Sequence, residues 1–96
     1  MKASSISSSP SVPDFFRVTV FAPGKIKVRS LELFGARTQA EAIGMSRNLL
    51  LEYLEQGHAS GGVELCGKGI THWVYREAGN SNLKESNRTD LILGLL

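Results

Sequence analysis

Apolar residues recur with a helical period in one stretch of the chain, residues 38–57. Thr38 and Glu41 have the spacing of a capping box, in which each side chain accepts a hydrogen bond from the backbone N–H of the other residue. Gly57 can adopt the left-handed conformation that closes a helix. Between these ends an apolar stripe repeats at about 100° per residue, and it consists of Ala40, Ile43, Gly44, Leu50, Leu51 and Leu54. The pattern predicts one helix.

The predicted helix carries more apolar surface than one sheet can cover. Ala42, Leu49 and Tyr53 continue the stripe around the helix, whereas a helix lying on a single sheet needs an apolar arc of about a third of its circumference. We therefore expect this flank to be covered by something other than the sheet. Arg47 falls inside the stripe, and either its stem packs while its head reaches water or its guanidinium is paired.

Two strands precede the helix. Residues 15–22 alternate between apolar and mixed positions, and Pro23-Gly24 indicates a turn before the strand at residues 25–34. In that second strand Ile26 and Val28 face the core, and three cations share the opposite face, namely Lys25, Lys27 and Arg29. The apolar parity changes after Ser30, which indicates either a β-bulge near Ser30 or a strand end covered on both faces.

A hairpin follows the helix, and its register is open. If Lys68-Gly69 is a two-residue turn, Trp73 and Tyr75 lie on the face away from Val63 and Leu65. If Gly67-Lys68-Gly69 is a three-residue loop, both aromatic residues join Val63 and Leu65, because a slip of one residue turns every side chain over. We favour the three-residue loop, since Trp73 is the largest apolar side chain available to a small core.

The order of elements predicts an α+β fold, a four-stranded ββαββ sheet with one helix on one face. Residues 1–14 are Ser- and Pro-rich and predict a disordered arm, and residues 15–78 form the single domain. Residues 79–96 read as a polar linker followed by the apolar tail LILGLL. We expect this tail to fold back onto the helix flank, to dock on a second subunit or partner, or to stay exposed as a protease signal.

Composition and motifs exclude several classes of function. The net charge of +2 is too small to indicate nucleic acid by itself, and the single cysteine, Cys66, fits a reducing compartment such as the cytoplasm. No segment approaches the length of a membrane span. Nucleotide-binding loops, metal-ligand spacings and nucleophile motifs are absent from the sequence. We therefore expect no enzyme activity, no metal, no cofactor and no small-molecule substrate.

One set of residues would fit single-stranded nucleic acid. Cations interleaved with aromatic side chains bind single strands by neutralising phosphates and stacking on bases. The two-residue register would bring such a set onto the open face of the sheet, and it comprises Arg17, Lys25, Lys27, Arg29, Trp73 and Tyr75.

Two short patterns resemble known families. FRVTV at residues 16–20, together with Arg29, Glu32-Leu33 and GGVEL at residues 61–65, resembles the small phycobilisome linker domain, which implies a compact domain that plugs into a phycobiliprotein ring. The strand pair followed by the capped segment at residues 38–57 is similar to the HicB-type antitoxin domain.

We predict a small non-enzymatic binding or adaptor domain, regulatory in role, that acts through a protein interface. A core of this size is marginal alone, and with an apolar flank it favours a homodimer or a protein partner. The predicted interface joins the helix flank to the tail, and it consists of Ala42, Leu49, Tyr53, Leu91, Ile92, Leu93, Leu95 and Leu96. Nucleic-acid binding is the alternative.

Overall fold

The computed structural model describes residues 15–96, so the predicted arm at residues 1–14 lies outside the described residues. The elements in order are β1 (Phe16–Ala22), β2 (Ile26–Leu33), α1 (Gln39–Glu55), β3 (Gly61–Gly67), β4 (Ile70–Arg76), β5 (Lys84–Ser86) and α2 (Thr89–Leu95). The fold is α+β, as predicted. The four predicted strands and the predicted helix are present, and the segment read as linker and tail adds a fifth strand and a second helix.

The five strands form one antiparallel sheet in the order β2-β1-β3-β4-β5. The first and second strands are joined by a tight turn, and β3 then pairs with the other side of β1. The sheet therefore places β3 at its centre, between β1 and β4, while the eight-residue β2 and the three-residue β5 form its two edges.

The N-terminus of α1 is held by the predicted capping box, which is confirmed. The Thr38 hydroxyl accepts from the Glu41 N–H (3.1 Å), and the Glu41 carboxylate accepts from the N–H groups of Thr38 (3.1 Å) and Arg37 (2.8 Å). These backbone donors favour the charged carboxylate and lower the pKa of Glu41. The cap thus fixes where the helix leaves the turn after β2.

The buried face of α1 lies between the stripe and the flank that the sequence indicated. The buried residues of the helix are Ala42, Ser46, Leu50, Tyr53 and Leu54, so Ala42 and Tyr53 contact the domain's own core, and the expectation that something else covers them was wrong. Tyr53 fits because Gly61 lies beneath it, where a Cβ would approach the ring to 2.8 Å. The Ser46 hydroxyl donates to the Ala42 carbonyl (2.9 Å) and is thereby satisfied inside the core.

The hairpin of β3 and β4 uses the two-residue turn, so the favoured three-residue register was wrong. Gly67 pairs with Ile70, and Lys68 and Gly69 both have positive φ, 52° and 80°, as the favoured two-residue turns require. In this register Glu64 lies opposite Trp73, and Leu65 lies opposite His72. Trp73 therefore belongs to the sheet face that points away from α1.

Each face of the sheet has its own hydrophobic core. The core beneath α1 comprises Phe16, Val18, Val20, Leu33, Ala36, Ala42, Leu50, Tyr53, Leu54, Val63, Leu65 and Val74. The core on the far face comprises Phe21, Trp73, Tyr75 and Ile92, and Leu93 and Leu96 pack against it. The LILGLL segment thus covers the opposite side of the sheet from α1, and the alternative in which it folds onto the helix flank was wrong.

Leu50 and Leu51 are neighbours on α1 with opposite environments, 0% and 39% exposed. Leu50→Ala leaves a cavity in the core, so we expect it to lower the free energy of unfolding by about 2–5 kcal/mol. Leu51→Ala serves as the matched control and should cost less than about 1 kcal/mol. Urea unfolding of both variants measures the difference, and equal losses would contradict the assignment of the buried face.

Candidate protein-binding surface

The helix α1 covers only part of the sheet. It packs across β3 and makes further contacts with β4 and β1. Five strands at about 4.8 Å spacing extend about 19 Å between the outermost strand axes, whereas a helix is about 10–12 Å wide with its side chains. The edge strand β2 is therefore left beside the helix instead of beneath it, and seven of its eight residues are at least partly exposed.

A groove follows the boundary between α1 and β2, and we call it the α1–β2 groove. Its larger section has a volume of about 270 Å³ and is lined by Leu31, Leu33, Met45, Asn48, Leu49 and Glu52. A smaller section of about 90 Å³ continues it toward the end of the helix, and is lined by Val20, Val28, Arg29, Leu49, Glu52, Tyr53 and Gln56. Leu49 is the predicted interface residue that lines both sections.

One ion pair crosses the groove. Arg29 on β2 and Glu52 on α1 approach to 3.8 Å, and both side chains are more than half exposed. A pair with this exposure contributes about 0–1 kcal/mol, so a protein segment could displace it at little cost. The remaining groove walls are mainly aliphatic.

Arg29 reaches the groove because β2 contains a bulge. The register with β1 shifts between Val20 and Phe21, so that Val20 lies opposite Arg29, Phe21 lies opposite Lys27, and Val28 is the extra residue. A bulge was one of the two sequence alternatives, and it lies two residues before the expected position at Ser30. It moves Arg29 to the α1 side, so the prediction that Lys25, Lys27 and Arg29 share the far face was wrong.

The structure separates the residues of the nucleic-acid alternative. Trp73 is fully buried and Tyr75 nearly so, and α2 covers both, although they lie on the far face as that alternative required. Arg17 pairs with Glu32 at 3.6 Å on the same face. Base stacking needs exposed aromatic faces, and in the described residues neither ring offers one.

A chain of side-chain hydrogen bonds anchors α2 on the far face. The Trp73 indole N–H donates to the Thr89 hydroxyl (2.9 Å), which donates to the Glu64 carboxylate (3.4 Å). At the other end of α2 the Leu96 carbonyl accepts from the Gly24 N–H (3.0 Å). Gly62 permits this approach, because a Cβ there would lie 3.1 Å from Leu96 and 3.3 Å from Trp73. The predicted tail residues Ile92 and Leu96 are thereby held by the chain's own sheet, and Leu93 packs beside them.

Glu85 on β5 links that short strand to its neighbours. Its carboxylate accepts from His72 Nε2 on β4 (2.9 Å) and from the Arg47 guanidinium on α1. Arg47 is therefore paired, which was one of the two sequence alternatives. The hydrogen bond from His72 is the main reason that the pKa of Glu85 is lowered, and Arg47 adds to it.

Reactive groups are sparse in the part of the chain that the structure describes. The Cys66 thiol is half-buried, and burial raises its pKa, with Glu64 adding to the shift. This disfavours the reactive thiolate. No group of three His, Cys, Asp or Glu side chains within residues 15–96 could hold a metal ion.

The sequence interpretation missed Ile26 and Val28 as surface residues, and they are 60% and 50% exposed. Ile26 and Val28 were expected to face the core, because alternation shows that a strand has an apolar face but not that the strand lies beyond the helix. The usable signal was the alternation of cations with aliphatic residues from Lys25 to Arg29, which is typical of edge strands.

Comparison with protein-family models, with curated proteins and with solved structures finds no match to this chain. The resemblances to phycobilisome linkers and to HicB-type antitoxins therefore receive no support from relatives. None of the helices within residues 15–96 combines the length and the hydropathy that crossing a membrane requires.

Trp73 is the only tryptophan, so its fluorescence reports directly on the far-face core. We expect blue-shifted emission and little quenching by iodide, because α2 excludes water from the indole. Thr89→Val keeps the shape of α2 but removes the indole's hydrogen-bond acceptor, and should increase quenching as α2 loosens. Strong quenching of the unmodified protein would contradict the seating of α2.

Stability at acid pH should depend on Glu85. Its folded-state pKa is lower than the ordinary value of 4.5, so the stabilisation is present above that ordinary value and is lost as pH falls through the lower folded value. Glu85→Gln should weaken the dependence of the unfolding free energy on pH in this acid range, as measured by urea unfolding at a series of pH values. An unchanged dependence would contradict the role of this carboxylate.

Proposed function

We propose that the chain is a small non-enzymatic binding domain that acts by docking another polypeptide onto the α1–β2 groove and the outer edge of β2. The observation that carries this proposal is the exposure of aliphatic side chains along one edge of the sheet. Ile26 and Val28 on β2 are 60% and 50% exposed, and Met45 across the groove is 38% exposed. Contiguous apolar surface of this kind is typical of interaction sites.

The other exposed apolar residues of the described chain are divided between separate places. Phe34 follows β2 and contacts Phe15, with ring centroids 4.9 Å apart, so this pair extends the same edge. Leu51 lies on the outer side of α1. Leu91 and Leu95 are exposed on α2, on the far side of the sheet. They belong to the interface predicted from the sequence, and they form a second apolar surface that a protein could bind instead of the groove.

The groove supports docking of a polypeptide better than it supports chemistry. Its walls combine aliphatic side chains with one weak ion pair and the amide side chains of Asn48 and Gln56. We therefore propose that the chain binds another polypeptide in a regulatory role, has no enzyme activity and is located in the cytoplasm. Nucleic-acid binding is disfavoured because its two aromatic residues are covered by α2.

Val28→Lys and Leu91→Lys form a matched pair, because the two side chains are 50% and 48% exposed on opposite sides of the sheet. We expect Val28→Lys to reduce association of the full chain at least tenfold, since a charged side chain at the edge of the groove must be desolvated on docking. Leu91→Lys should leave association unchanged. Self-association is measured by sedimentation, and foreign partners by quantitative capture with each variant as bait, with thermal unfolding as the check on folding.

The outcomes of this comparison are distinct. Loss of association in Leu91→Lys alone would transfer the interface to α2, as the sequence first suggested, and would overturn docking in the groove. Equal behaviour of the two variants and the unmodified chain would leave the exposed apolar edge without a docking role.

A further inference from the structure

The outer edge of β2 is a long and regular surface for strand pairing. Within residues 15–96, β2 has β1 on one side and no strand on the other, and it is eight residues long, whereas the opposite edge strand β5 has three. An exposed edge presents N–H and C=O groups that can pair with another strand. The question is which strand would fit its side chains.

The bulge fixes which side chains of β2 face which way. Five residues lie on the α1 side, as shown by their partners in the first core, the groove or the ion pair to Glu52, namely Ile26, Val28, Arg29, Leu31 and Leu33. Three residues lie on the far side, opposite Phe21, Thr19 and Arg17, namely Lys27, Ser30 and Glu32. Two consecutive residues, Val28 and Arg29, thus point the same way.

This arrangement is complementary to itself in one antiparallel register. Residues that lie opposite each other in a sheet must share a face. With the two-fold axis between Val28 and Arg29, Ile26 lies opposite Leu31 of the second copy, Lys27 opposite Ser30, and Val28 opposite Arg29, and every pair matches in face. A register shifted by one residue in either direction joins residues of opposite faces.

The charges agree with this register. Glu32 of one copy would lie on the far face between Lys25, just beyond the strand, and Lys27 of the other, within reach of both long side chains across the strands. On the α1 side, Ile26 would contact Leu31 of the second copy. Symmetry provides each of these contacts twice.

We propose that β2 pairs with β2 of a second copy of this chain about a two-fold axis between Val28 and Arg29. The pairing would join two five-stranded sheets into one of ten strands, with the two α1–β2 grooves facing each other across the axis. This inference rests on the proposed function, because it names the polypeptide that docks on the edge.

Charge exchange on the full chain tests both the partner and the register. The double variant K25E/K27E places glutamates around Glu32, and the variant E32K places three lysines together, so each should weaken self-association about tenfold in sedimentation equilibrium. An equimolar mixture of the two variants should recover the affinity of the unmodified chain, because every contact in the mixed dimer again joins opposite charges.

The matched control is K68E/K84E, which makes the same change in net charge away from β2. It should self-associate like the unmodified chain, and its heterodimer with E32K should be weaker than its own homodimer, because only one of the two symmetric Glu32 contacts is kept. A heterodimer as tight as the one between K25E/K27E and E32K would show general charge attraction and would overturn the register.

Other occupants of the edge give different results. A full chain that stays monomeric up to about 1 mM overturns the second copy as the partner. If the β2 amides that do not bond to β1 are nevertheless protected from hydrogen exchange in that monomer, another segment of the chain covers the edge and this inference fails. If Val28→Lys then abolishes capture of a different protein, the proposed function stands while this inference fails.

Discussion

The width of the sheet relative to its main helix governs the rest of the structure. One helix spans about 10 Å and the sheet about 19 Å, so α1 can bury the side chains of the central strands but leaves most of β2 uncovered. The helix lies over β3 because Gly61 accommodates Tyr53 there. The groove, the exposed aliphatic residues of β2 and the ion pair from Arg29 to Glu52 all follow from this shortfall.

The apolar residues on the far face of the sheet are covered in a different way. Trp73, Tyr75 and Phe21 make that face apolar near β4, and a seven-residue helix is enough to cover them because the rest of the face is polar. The hydroxyl of Thr89 satisfies the indole N–H, which would otherwise carry a desolvation cost of about 1–3 kcal/mol. As a result the sheet is buried near its centre on both faces and is exposed at its β2 edge.

The sequence was sufficient where local signals decide the outcome. The spacing of Thr38 and Glu41 located the start of α1, and alternation located four of the five strands. It was insufficient where distant residues decide. Gly67 and Gly69 permit either hairpin register, and only the docking of Ile92 on Trp73 makes the far-face position of the indole favourable. The helix was apolar over so much of its circumference that its buried face could not be located before the position of the sheet was known. The groove was missed for a related reason, since the strand order determines that β2 is an edge.

The bulge in β2 can be interpreted in two ways that are compatible. Bulges and lysines on edge strands normally protect a protein from unwanted pairing, and an extra residue at Val28 does prevent a regular strand from matching both faces of β2 at once. A second copy of β2 is the exception, because Val28 of each copy lies opposite Arg29 of the other when the axis passes between them, so that the two bulges coincide. The two irregularities then offset each other and the residues pair one to one. The same feature would therefore reject most strands and accept its own copy, which gives an edge that is selective in spite of its exposed aliphatic surface.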